Sequence, residues 1–574
     1  MVLTLVLSAC SGRDPRPNVL LITLDTTRAD ALGCYAPRPG LTPNLDALAR
    51  ESVVFDRART VAPLTLPAHA SMLTGLYPPR HGARDNGLVP VPTSARTAAE
   101  LLSDAGYDTA AFVSAAVLDA SWGIAQGFRA FDAPPPAPPG AAVHIDERGG
   151  RETTERALAW LGGNASGAAP RREGAPFFAW VHLFDAHAPY EPAPEFLAQA
   201  NGDAYLGEVA ALDHEVGRVL DALRAAGELE RTLVIVVADH GEALGQHGEP
   251  THSIFCYEPV LRVPLLVRRP GPTRAGERSD TTVSVVDVLP TALASAGVRI
   301  PPTLDGRDLF APADAARSVY FESYCGWLNY AWSPLVGAAR GDEKYTWSGV
   351  EELVDVASDA REKVNLASAR PDACAAWRAE VERLASGPAL PRDAVEHVDA
   401  GARERVLSLG YAGAAEPGFA IPVPLTETGL PAPLARKAEL AAYYAALELE
   451  VQGRTDAAIA GLAAVLAENP RNYAAGDVLG ALLTRAGRDA EAVRVLDGLQ
   501  HAGRERVTTH LSLATCLARL GRAEEELAHL ERAVELQPEG RAGLEALARA
   551  YTARGRTREA QSIERRVAAL RGAR

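Results

Sequence analysis

Between residues 18 and 268 the sequence alternates short apolar runs with stretches of helical periodicity, and this alternation constrains the fold more than any other feature. Six runs have the length and continuous apolar character of buried strands, at residues 19–24, 53–55, 109–113, 177–184, 233–237 and 264–267. Residues 205–226, closed by Gly227, are typical of the helices between them. We therefore expect an α/β body in which a largely parallel sheet is covered by helices on both faces.

A second pattern begins near residue 435. The pair Gly-Arg recurs at residues 453, 487, 521 and 555, an interval of 34 residues. Small residues keep the same register, namely Ala446, Gly480, Ala514 and Ala548. This period, with small residues where two helices would pack, resembles the tetratricopeptide repeat, although Arg504 and Glu526 depart from it. About four repeats over residues 439–574 would stack into a solenoid whose groove binds a protein or peptide partner.

The length of 574 residues exceeds the ~250–300 residues at which a single hydrophobic core stops growing, so several domains are expected. The patterns predict a tether at 1–13, an α/β body at 14–283, a carboxyl-terminal subdomain of that body at 284–368, a connector at 369–434 and the repeats at 435–574. The net charge of −15 argues against a nucleic-acid partner. Of the 58 basic residues only three are lysines, Lys344, Lys363 and Lys437.

The first residues are typical of a membrane tether. Residues 1–7 are apolar but too short to span a bilayer, and Leu7-Ser8-Ala9-Cys10 resembles the end of a bacterial lipoprotein signal. In this interpretation Cys10 carries lipid, and the protein is anchored to a membrane surface outside the bacterial cytoplasm, in the periplasm or at the outer membrane. The alternative is an ordinary chain terminus with a chance cysteine.

Acidic residues and histidines follow three of the predicted strands. Asp25 ends the first, Asp185 and His187 follow the fourth, and Asp239 with His240 ends the fifth. Open α/β sheets bind ligands at the carboxyl ends of their strands. The Asp-His pair offers oxygen and nitrogen ligands, which suit zinc or manganese better than a cage of oxygens alone. Each residue alone has a structural alternative as a turn or cap residue.

The segment 63–75 contains another candidate. Pro67 suits the first turn of a helix that runs towards Leu73, which puts Thr65 just before the amino end of that helix. Free N–H groups and the helix dipole at this end favour a tetrahedral anion, and His69, one turn further on, can face the same anion. The simpler alternative is that Thr65 only caps the helix.

Taken together, these segments resemble the sulfatase family of the alkaline phosphatase superfamily over residues 18–368. Further segments that carry the resemblance lie at residues 42–46, 208–217, 261–265, 304–307 and 343–366. The resemblance implies an α/β sandwich with a mostly parallel sheet and a smaller carboxyl-terminal subdomain. It also implies a metal-dependent enzyme that acts on phosphoric or sulfuric esters.

The resemblance carries a metal site over to this chain. Asp25, Asp239 and His240 match metal ligands, and the same metal would bind the Thr65 oxygen and lower the pKa of its hydroxyl. Zinc or manganese is favoured, with calcium or magnesium as alternatives. A second metal would use residues from a separate set, namely Asp185, His187 and His252.

The resemblance also assigns the reacting groups. Thr65 matches the nucleophile, His187 a substrate-binding histidine, and His252 a later Lys or His that contacts the substrate or a second metal. In this mechanism the Thr65 alkoxide attacks in line, and His69, His187 and His252 stabilise the equatorial oxygens of the transferred group. Water then releases that group, or another alcohol accepts it.

Three departures from the known sulfatases bear on the chemistry. Those enzymes oxidise a Cys, sometimes a Ser, within Cys-x-Pro-x-Arg to formylglycine, whereas here the positions are Thr65, Pro67 and His69. Threonine is not a substrate for that oxidation. The sulfate-binding lysine of a Gly-Lys-Trp-His segment is missing after residues 106–109, and Thr26 stands where a second Asp ligand is usual.

Threonine at the nucleophile resembles instead the phosphodiesterase and phosphotransferase branches of the superfamily. Our main prediction is therefore a phosphoester hydrolase or transferase that uses Thr65. One alternative is a sulfuric ester hydrolase on the same scaffold with an unmodified nucleophile. The other is a non-catalytic scaffold whose pocket and repeat groove only bind.

Overall fold

The structure is a computed structural model, and it describes residues 16–134, 147–164, 169–271, 274–392, 421–502, 505–538 and 540–572. The predicted tether with Cys10 lies outside these ranges, as do residues 393–420 of the predicted connector. None of the helices in the described part of the chain combines the length and the apolar character that crossing a bilayer requires.

Within the described ranges the strands form two sheets, and the larger has eight strands in the order β4-β3-β5-β1-β6-β7-β2-β8. Their bounds are β1 Asn18–Leu24, β2 Val53–Arg59, β3 Asp108–Phe112, β4 Ala130–Asp132, β5 Phe177–Leu183, β6 Thr232–Ala238, β7 Leu265–Arg268 and β8 Glu277–Ser284. Strands β4, β3, β5, β1 and β6 pair in parallel. Strand β7 runs antiparallel to β6 and β2, whereas β8 is parallel to β2. The prediction of a mostly parallel sheet is confirmed.

Each of the six apolar runs overlaps one strand of this sheet, whereas β4 and β8 were not predicted. Strand β4 has only three residues, and β8 begins with exposed polar residues, so neither contains a continuous apolar run. Strands β1, β5 and β6 are buried at every position. Because successive side chains point to opposite faces, both faces of the sheet are covered.

Eleven α-helices lie in the described ranges before residue 393. Their bounds are α1 Pro43–Arg50, α2 Thr65–Thr74, α3 Pro78–His81, α4 Ala98–Asp104, α5 Gly150–Leu161, α6 Pro194–Gln199, α7 Ala204–Ala225, α8 Glu258–Leu261, α9 Val288–Ser295, α10 Cys325–Tyr330 and α11 Pro371–Ala385. Helices α1, α5 and α6 contact α7, and α2 and α4 contact α9. Gly227 follows α7 with a φ of 67°, a left-handed conformation that suits glycine at a helix end.

The second sheet is an antiparallel ribbon of four strands in the order β12-β11-β10-β9. Its strands are β9 Val319–Ser323, β10 Leu335–Arg340, β11 Glu343–Trp347 and β12 Glu351–Asp355. All four lie within residues 284–368, the range predicted as a subdomain, and α11 contacts β9, β10 and β11. The sequence predicted the subdomain without its strands.

The part of the chain described after residue 436 contains eight helices. They are α12 Lys437–Val451, α13 Thr455–Glu468, α14 Tyr473–Arg485, α15 Asp489–His501, α16 Val507–Arg519, α17 Ala523–Leu536, α18 Arg541–Ala553 and α19 Thr557–Gly572. Each contacts the next along the chain. The turns inside four successive helix pairs contain the periodic glycines, Gly453, Gly487, Gly521 and Gly555, at φ values of 73°, 71°, 71° and 70°. The 34-residue interval therefore repeats one helix-turn-helix unit. We call residues 437–572 the helical tail.

The helical tail packs on the body through a shared apolar cluster. Ile254, Phe255 and Trp332 of the body lie in one buried cluster with Leu440 and other residues of the tail. Burial of these side chains stabilises the contact, because apolar surface is removed from water on both sides. The loop that contains residues 254 and 255 is also the loop that leaves the carboxyl end of β6. The tail therefore rests against a segment connected directly to the candidate site.

Candidate metal centre and active site

The sheet register brings two acidic residues to one edge. Strands β1 and β6 are parallel neighbours with Leu24 opposite Ala238, so Asp25 and Asp239 leave the sheet side by side. His240 follows directly. One ligand atom from each of Asp25, Asp239 and His240 lies within 4.8 Å of the other two, and their exposed fractions are 1%, 0% and 0%. These three side chains form the metal cluster.

The atoms of the metal cluster fit a cation because they lack other partners. Both carboxylate oxygens of Asp25, Oδ2 of Asp239 and Nε2 of His240 are buried without a hydrogen bond. Burial raises the pKa of both carboxyls, because a negative charge is costly away from water, and the charge of Asp25 raises the pKa of Asp239 further. A divalent cation would satisfy all four atoms at once. The donor set therefore suits a metal.

The orientation of His240 supports the same conclusion. Its Nδ1 lies 3.0 Å from the Gly241 carbonyl, which can only accept, so the neutral ring has its proton on Nδ1. Its Nε2 then presents a lone pair 3.6 Å from Oδ2 of Asp239 and 3.9 Å from Oδ1 of Asp25. A histidine that binds metal commonly donates its other N–H to a carbonyl or carboxylate in this way.

Thr26 stands outside the ligand set. Its backbone has a φ of 45°, and its N–H donates to Oδ1 of Asp239 at 3.2 Å. His240 N also donates to that oxygen, at 2.7 Å, so one oxygen of Asp239 fixes the loop while the other faces the cluster. The Thr26 hydroxyl donates to the Ala186 carbonyl at 2.5 Å. Residue 26 therefore orients the cluster through its backbone.

Thr65 is the first residue of α2, with Leu64 as the extended cap residue. We expected the helix to begin after Thr65, but Pro67 occupies the third helical position, where its missing N–H also costs nothing. Thr65 is 2% exposed. Its carbonyl accepts from Nδ1 of His69 at 2.8 Å, and that nitrogen lies 3.7 Å from Oδ2 of Asp239. His69 thus connects the start of α2 to the metal cluster.

Two buried histidines lie on one side of the metal cluster. His182 Nε2 is 3.5 Å from Oδ2 of Asp25, and the rings of His69 and His182 are 4.8 Å apart. The Nε2 atoms of both rings are buried without a partner. Burial lowers the pKa of His69 to about 3 and that of His182 to about 4, so both are neutral at pH 7.

His187 and His252 lie on the side of His240. The His252 ring is 4.5 Å from the His240 ring and 5.3 Å from the His187 ring. Glu242 faces Nδ1 of His252 at 3.3 Å and accepts from the Tyr190 hydroxyl at 3.0 Å. Although burial opposes ionisation, His252 and the other donors lower the pKa of Glu242. The ionised Glu242 therefore orients His252.

The structure does not bring Asp185 to this group. Its Oδ2 accepts the Gly150 N–H at 2.7 Å. Burial raises the pKa of Asp185, with Glu215 as the neighbouring negative charge. Of the residues predicted for a second metal, His187 and His252 lie beside the metal cluster. Asp185 instead stabilises the start of α5 through its hydrogen bond with the Gly150 N–H. The buried carboxylate next to His252 is Glu242.

Two family profiles match the body of the chain. The sulfatase profile matches residues 17–298, and the profile of the carboxyl-terminal region of N-sulphoglucosamine sulphohydrolase matches residues 245–368. Together they cover residues 17–368 of the 574-residue chain and end before the helical tail. This body belongs to the sulfatase family. Family membership gives the reaction class, which is hydrolysis of sulfuric or phosphoric esters.

Individual sulfatase relatives and related structures have low sequence identity to this chain. The uncharacterized sulfatase YidJ of Escherichia coli is 28% identical over 369 residues, 52% of this chain and 71% of that protein. A protein solved with its substrate D-glucosamine-2-N,6-O-disulfate superposes with a TM-score of 0.55 at 21% identity, covering 65% of this chain and 98% of its own. The phosphonate monoester hydrolase of Agrobacterium radiobacter gives 0.52 at 22% identity, covering 65% and 96%. At these identities the superpositions show the fold.

Three residues of this sulfatase-family site were not predicted. His182 lies inside β5, within an apolar run that gave no signal of a ligand. Glu242 lies two residues after His240, and the sequence analysis assigned it no role. Asn86 accepts the Leu66 N–H at 2.9 Å, and its buried Nδ2 has no partner. Asn86 therefore presents an unpaired amide N–H beside the amino end of α2.

Proposed function

We propose that this sulfatase-family protein is a metal-dependent hydrolase of phosphoric esters with Thr65 as its nucleophile. The observation that carries the proposal is a threonine, rather than an oxidisable cysteine or serine, at the start of α2 and connected to the metal cluster through His69. An aliphatic alcohol attacks phosphorus only when its hydroxyl is activated. The buried acidic cluster, which His69 connects to the backbone of Thr65, supplies a place for that activation.

The metal would be held by Asp25, Asp239 and His240, together with the Thr65 oxygen. It would supply Lewis-acid chemistry and lower the pKa of the threonine hydroxyl. Zinc or manganese is favoured by the mixed oxygen and nitrogen ligands. Metal analysis of the purified protein, followed by chelation and reloading with zinc, manganese, calcium or magnesium, tests this choice. A protein that binds none of these four ions would contradict it.

Residues of the chain supply the nucleophile, the proton acceptor and the donors to the transferred group. The Thr65 oxygen attacks phosphorus, and the bond to the leaving alcohol breaks in line on the far side. His69, protonated on Nδ1, presents a lone pair at Nε2 and suits a proton acceptor better than a donor to an ester oxygen. The Asn86 amide can donate to the equatorial oxygens, whereas His252, whose Nδ1–H faces Glu242, would donate from Nε2 only when its ring is protonated.

The nucleophile is tested by Thr65→Ala and Thr65→Ser. We expect Thr65→Ala to lower kcat/KM for an aryl phosphodiester by about 1,000-fold or more, since the covalent route is lost. Thr65→Ser keeps a hydroxyl and should retain measurable turnover with a phosphorylated protein detectable by intact mass. Equal rates for Thr65→Ala and the wild-type protein would overturn the proposal.

A sulfuric ester substrate is the second candidate, and it is favoured by the sulfatase relatives. Parallel assays with aryl phosphodiester, phosphomonoester, phosphonate and sulfate esters separate the two. A phosphoric ester should give the highest kcat/KM, because no formylglycine can form at residue 65. A sulfate ester turned over faster than every phosphorus ester would reverse this assignment. An added alcohol tests transfer against hydrolysis.

We also propose that the helical tail is a set of four tetratricopeptide repeats that binds a protein or peptide, and that Cys10 anchors the protein to a bacterial membrane outside the cytoplasm. The periodic glycines support the first part, and the Leu7-Ser8-Ala9-Cys10 segment supports the second. Metabolic labelling with palmitate, compared between the wild-type protein and Cys10→Ser, tests the anchor. Loss of membrane association only in Cys10→Ser is the expected result.

A further inference from the structure

One face of the sheet beside the metal cluster contains three polar side chains that the proposed mechanism does not use. Strands β1 and β5 pair in parallel with Thr23 opposite His182. Trp180 precedes His182 by two residues, so the three side chains share one face. All three have an exposed fraction of 0%. Their polar atoms must therefore find hydrogen-bond partners inside the protein.

A hydrogen-bond chain joins these three side chains. Trp180 Nε1, which can only donate, donates to the Thr23 hydroxyl oxygen at 2.9 Å. The same hydroxyl lies 3.1 Å from Nδ1 of His182. Among the hydrogen bonds of the described residues, this nitrogen is the acceptor left for the hydroxyl proton. Thr23 therefore accepts from the indole and donates to the imidazole.

This pairing fixes the tautomer of His182. A neutral ring that accepts at Nδ1 has its proton on Nε2. That Nε2 is buried without a hydrogen bond and lies 3.5 Å from Oδ2 of Asp25. In the other tautomer the Thr23 proton would lose its acceptor, and the Nε2 lone pair would face those of the carboxylate. Both changes are costly away from water, so His182 presents an N–H to Asp25.

His182 and His240 both direct Nε2 towards Asp25, but they differ in the partner of Nδ1. At His240 a carbonyl accepts from Nδ1, so Nε2 has the free lone pair that a metal needs. At His182 a hydroxyl donates to Nδ1, so Nε2 has the proton and cannot bind a metal. Among the described residues, the group whose ligand atoms all lie within 4.8 Å of one another likewise contains His240 and not His182.

We propose that His182 is a positioning residue whose N–H orients the metal ligand Asp25, an inference that rests on the metal centre of the proposed function. The N–H is directed at Oδ2 of Asp25, whereas Oδ1 lies on the side of His240, 3.9 Å from its Nε2. Because Thr26 supplies no carboxylate, Asp25 is the acidic ligand that the end of β1 provides. The His182 ring also packs against the His69 ring at 81° with centres 4.8 Å apart, so it supports the proposed proton acceptor as well.

The first test measures the affinity of the full-length, metal-free protein for zinc alone, by competition with a chromophoric chelator. His182→Leu removes the N–H and should weaken zinc binding by about 10- to 100-fold, the usual effect of losing a side chain that orients a metal ligand. His182→Gln keeps a side-chain N–H and should stay within about threefold of the wild-type affinity.

The matched control is His81→Leu. His81 is also fully buried, but its Nε2 lies 2.9 Å from the Ser71 hydroxyl and not at the metal cluster. This variant should lose stability and keep the zinc affinity of the wild type. Equal zinc affinity in His182→Leu and the wild type would overturn the proposal. A loss as large in His182→Gln as in His182→Leu would also overturn it, because the shape of the ring rather than its N–H would then matter.

A second test separates a positioning residue from a further metal ligand. The visible absorption bands of bound cobalt depend on the atoms that bind it, so at saturating cobalt the bands of His182→Leu should match those of the wild type. Bands that shift in His182→Leu but not in His81→Leu would place His182 in the ligand set and overturn the proposal.

The tautomer can be measured in the wild-type protein itself, which keeps the proposal testable if His182→Leu does not fold. Nitrogen-15 NMR of histidine-labelled protein, with the His182 signals assigned from their loss in His182→Gln, should show the proton on Nε2. A proton on Nδ1 would overturn the proposal. Failure of the ester hydrolase function would appear separately, as a wild-type protein that binds zinc and turns over no ester, because the affinity comparison requires no turnover.

Discussion

Two regions of the molecule differ in how they pair their buried carboxylates with hydrogen-bond donors. At the metal cluster, both oxygens of Asp25 lack a hydrogen bond. At the junction of body and tail, Glu439 accepts from the side-chain amides of Asn469 and Asn472 at 2.6 and 2.9 Å, and Trp332 Nε1 lies 3.3 Å from its other oxygen. Buried polar groups are normally satisfied like Glu439. The unpaired oxygens of Asp25 are an exception, and they mark the place where the fold keeps ligand atoms available.

The difference predicts opposite responses to neutralisation. At the metal cluster, removing one negative charge should lower the activity and stabilise the metal-free fold, because the carboxylates repel each other there. At the junction of body and tail, removing the charge of Glu439 should lower the stability of the fold and leave the catalytic rate unchanged, because three donors lose their acceptor.

The largest effect is expected from Asp25→Asn. We expect metal content to fall and kcat/KM to drop by about 1,000-fold or more, because one of three ligands loses its charge. The metal-free variant should melt at a higher temperature than the metal-free wild type. Elemental analysis, kinetics and thermal unfolding in chelator measure the three quantities.

The control for Asp25→Asn is Asp213→Asn. Asp213 is also buried, but its oxygens accept from Asn44 N, Asn44 Nδ2 and Leu45 N at 3.1, 2.9 and 2.7 Å. Its neutralisation should lower stability and leave metal content unchanged. If both variants lose stability equally and both keep the metal, the distinction between the two kinds of carboxylate is wrong.

Glu439→Ala should give the next largest effect. Three donors on Trp332, Asn469 and Asn472 would be left without their acceptor, at a cost of about 2–4 kcal/mol in the free energy of unfolding. Urea unfolding measures this loss, and limited proteolysis should show earlier cleavage in the helical tail. The rate per folded molecule on a small aryl ester should stay within about twofold of the wild type. A large loss of that rate would mean that the tail supports the chemistry.

Glu249 connects the two regions and makes stability depend on pH. Burial raises its pKa to about 8, although Ile254 N and Phe255 N donate to it at 2.7 and 3.2 Å. The folded state then binds a proton that the unfolded state releases near pH 4.5. Stability from this group is therefore full below that pH and declines as pH rises to 8. Glu249→Gln should flatten the decline in thermal unfolding between pH 5 and 8; an unchanged slope would assign it to other groups.

Strand periodicity in the sequence predicted which residues follow a strand. It could not predict the contacts that depend on which strands pair and in which register. Asp25 and Asp239 follow apolar runs, so their position at strand ends was predictable, and parallel pairing of β1 with β6 brings them together. His182 lies within an apolar run of β5, where period alone cannot distinguish a ligand from the core. Asp185 was expected at the site by its place after a strand, but the Gly150 N–H engages its carboxylate instead.

Prediction of the fold from periodicity has the same limit. The strands with continuous apolar character were predicted, whereas β8, which begins with exposed polar residues, was not. In the tail, the interval of 34 residues predicted the helix pairs, because every pair repeats the same glycine turn. The contact of that tail with the body, through Phe255 and Trp332, depends on side chains that are distant in sequence and follow no period.

The smallest effect concerns packing within the tail, and a matched pair of glycines isolates it. A Cβ on Gly476 in α14 would lie 2.4 Å from Cδ1 and 2.8 Å from Cγ of Leu499, whereas a Cβ on Gly498 in α15 meets nothing within 4 Å. Gly476→Ala should therefore lower stability by about 1–3 kcal/mol through overpacking. Gly498→Ala should raise it by about 0.5–1 kcal/mol through reduced chain entropy and better helix propensity. Opposite signs in urea unfolding would show that close helix packing, like the pairing of Glu439, stabilises the tail. Equal signs would mean that the tail tolerates loose packing, and its contrast with the metal cluster would then rest on Glu439 alone.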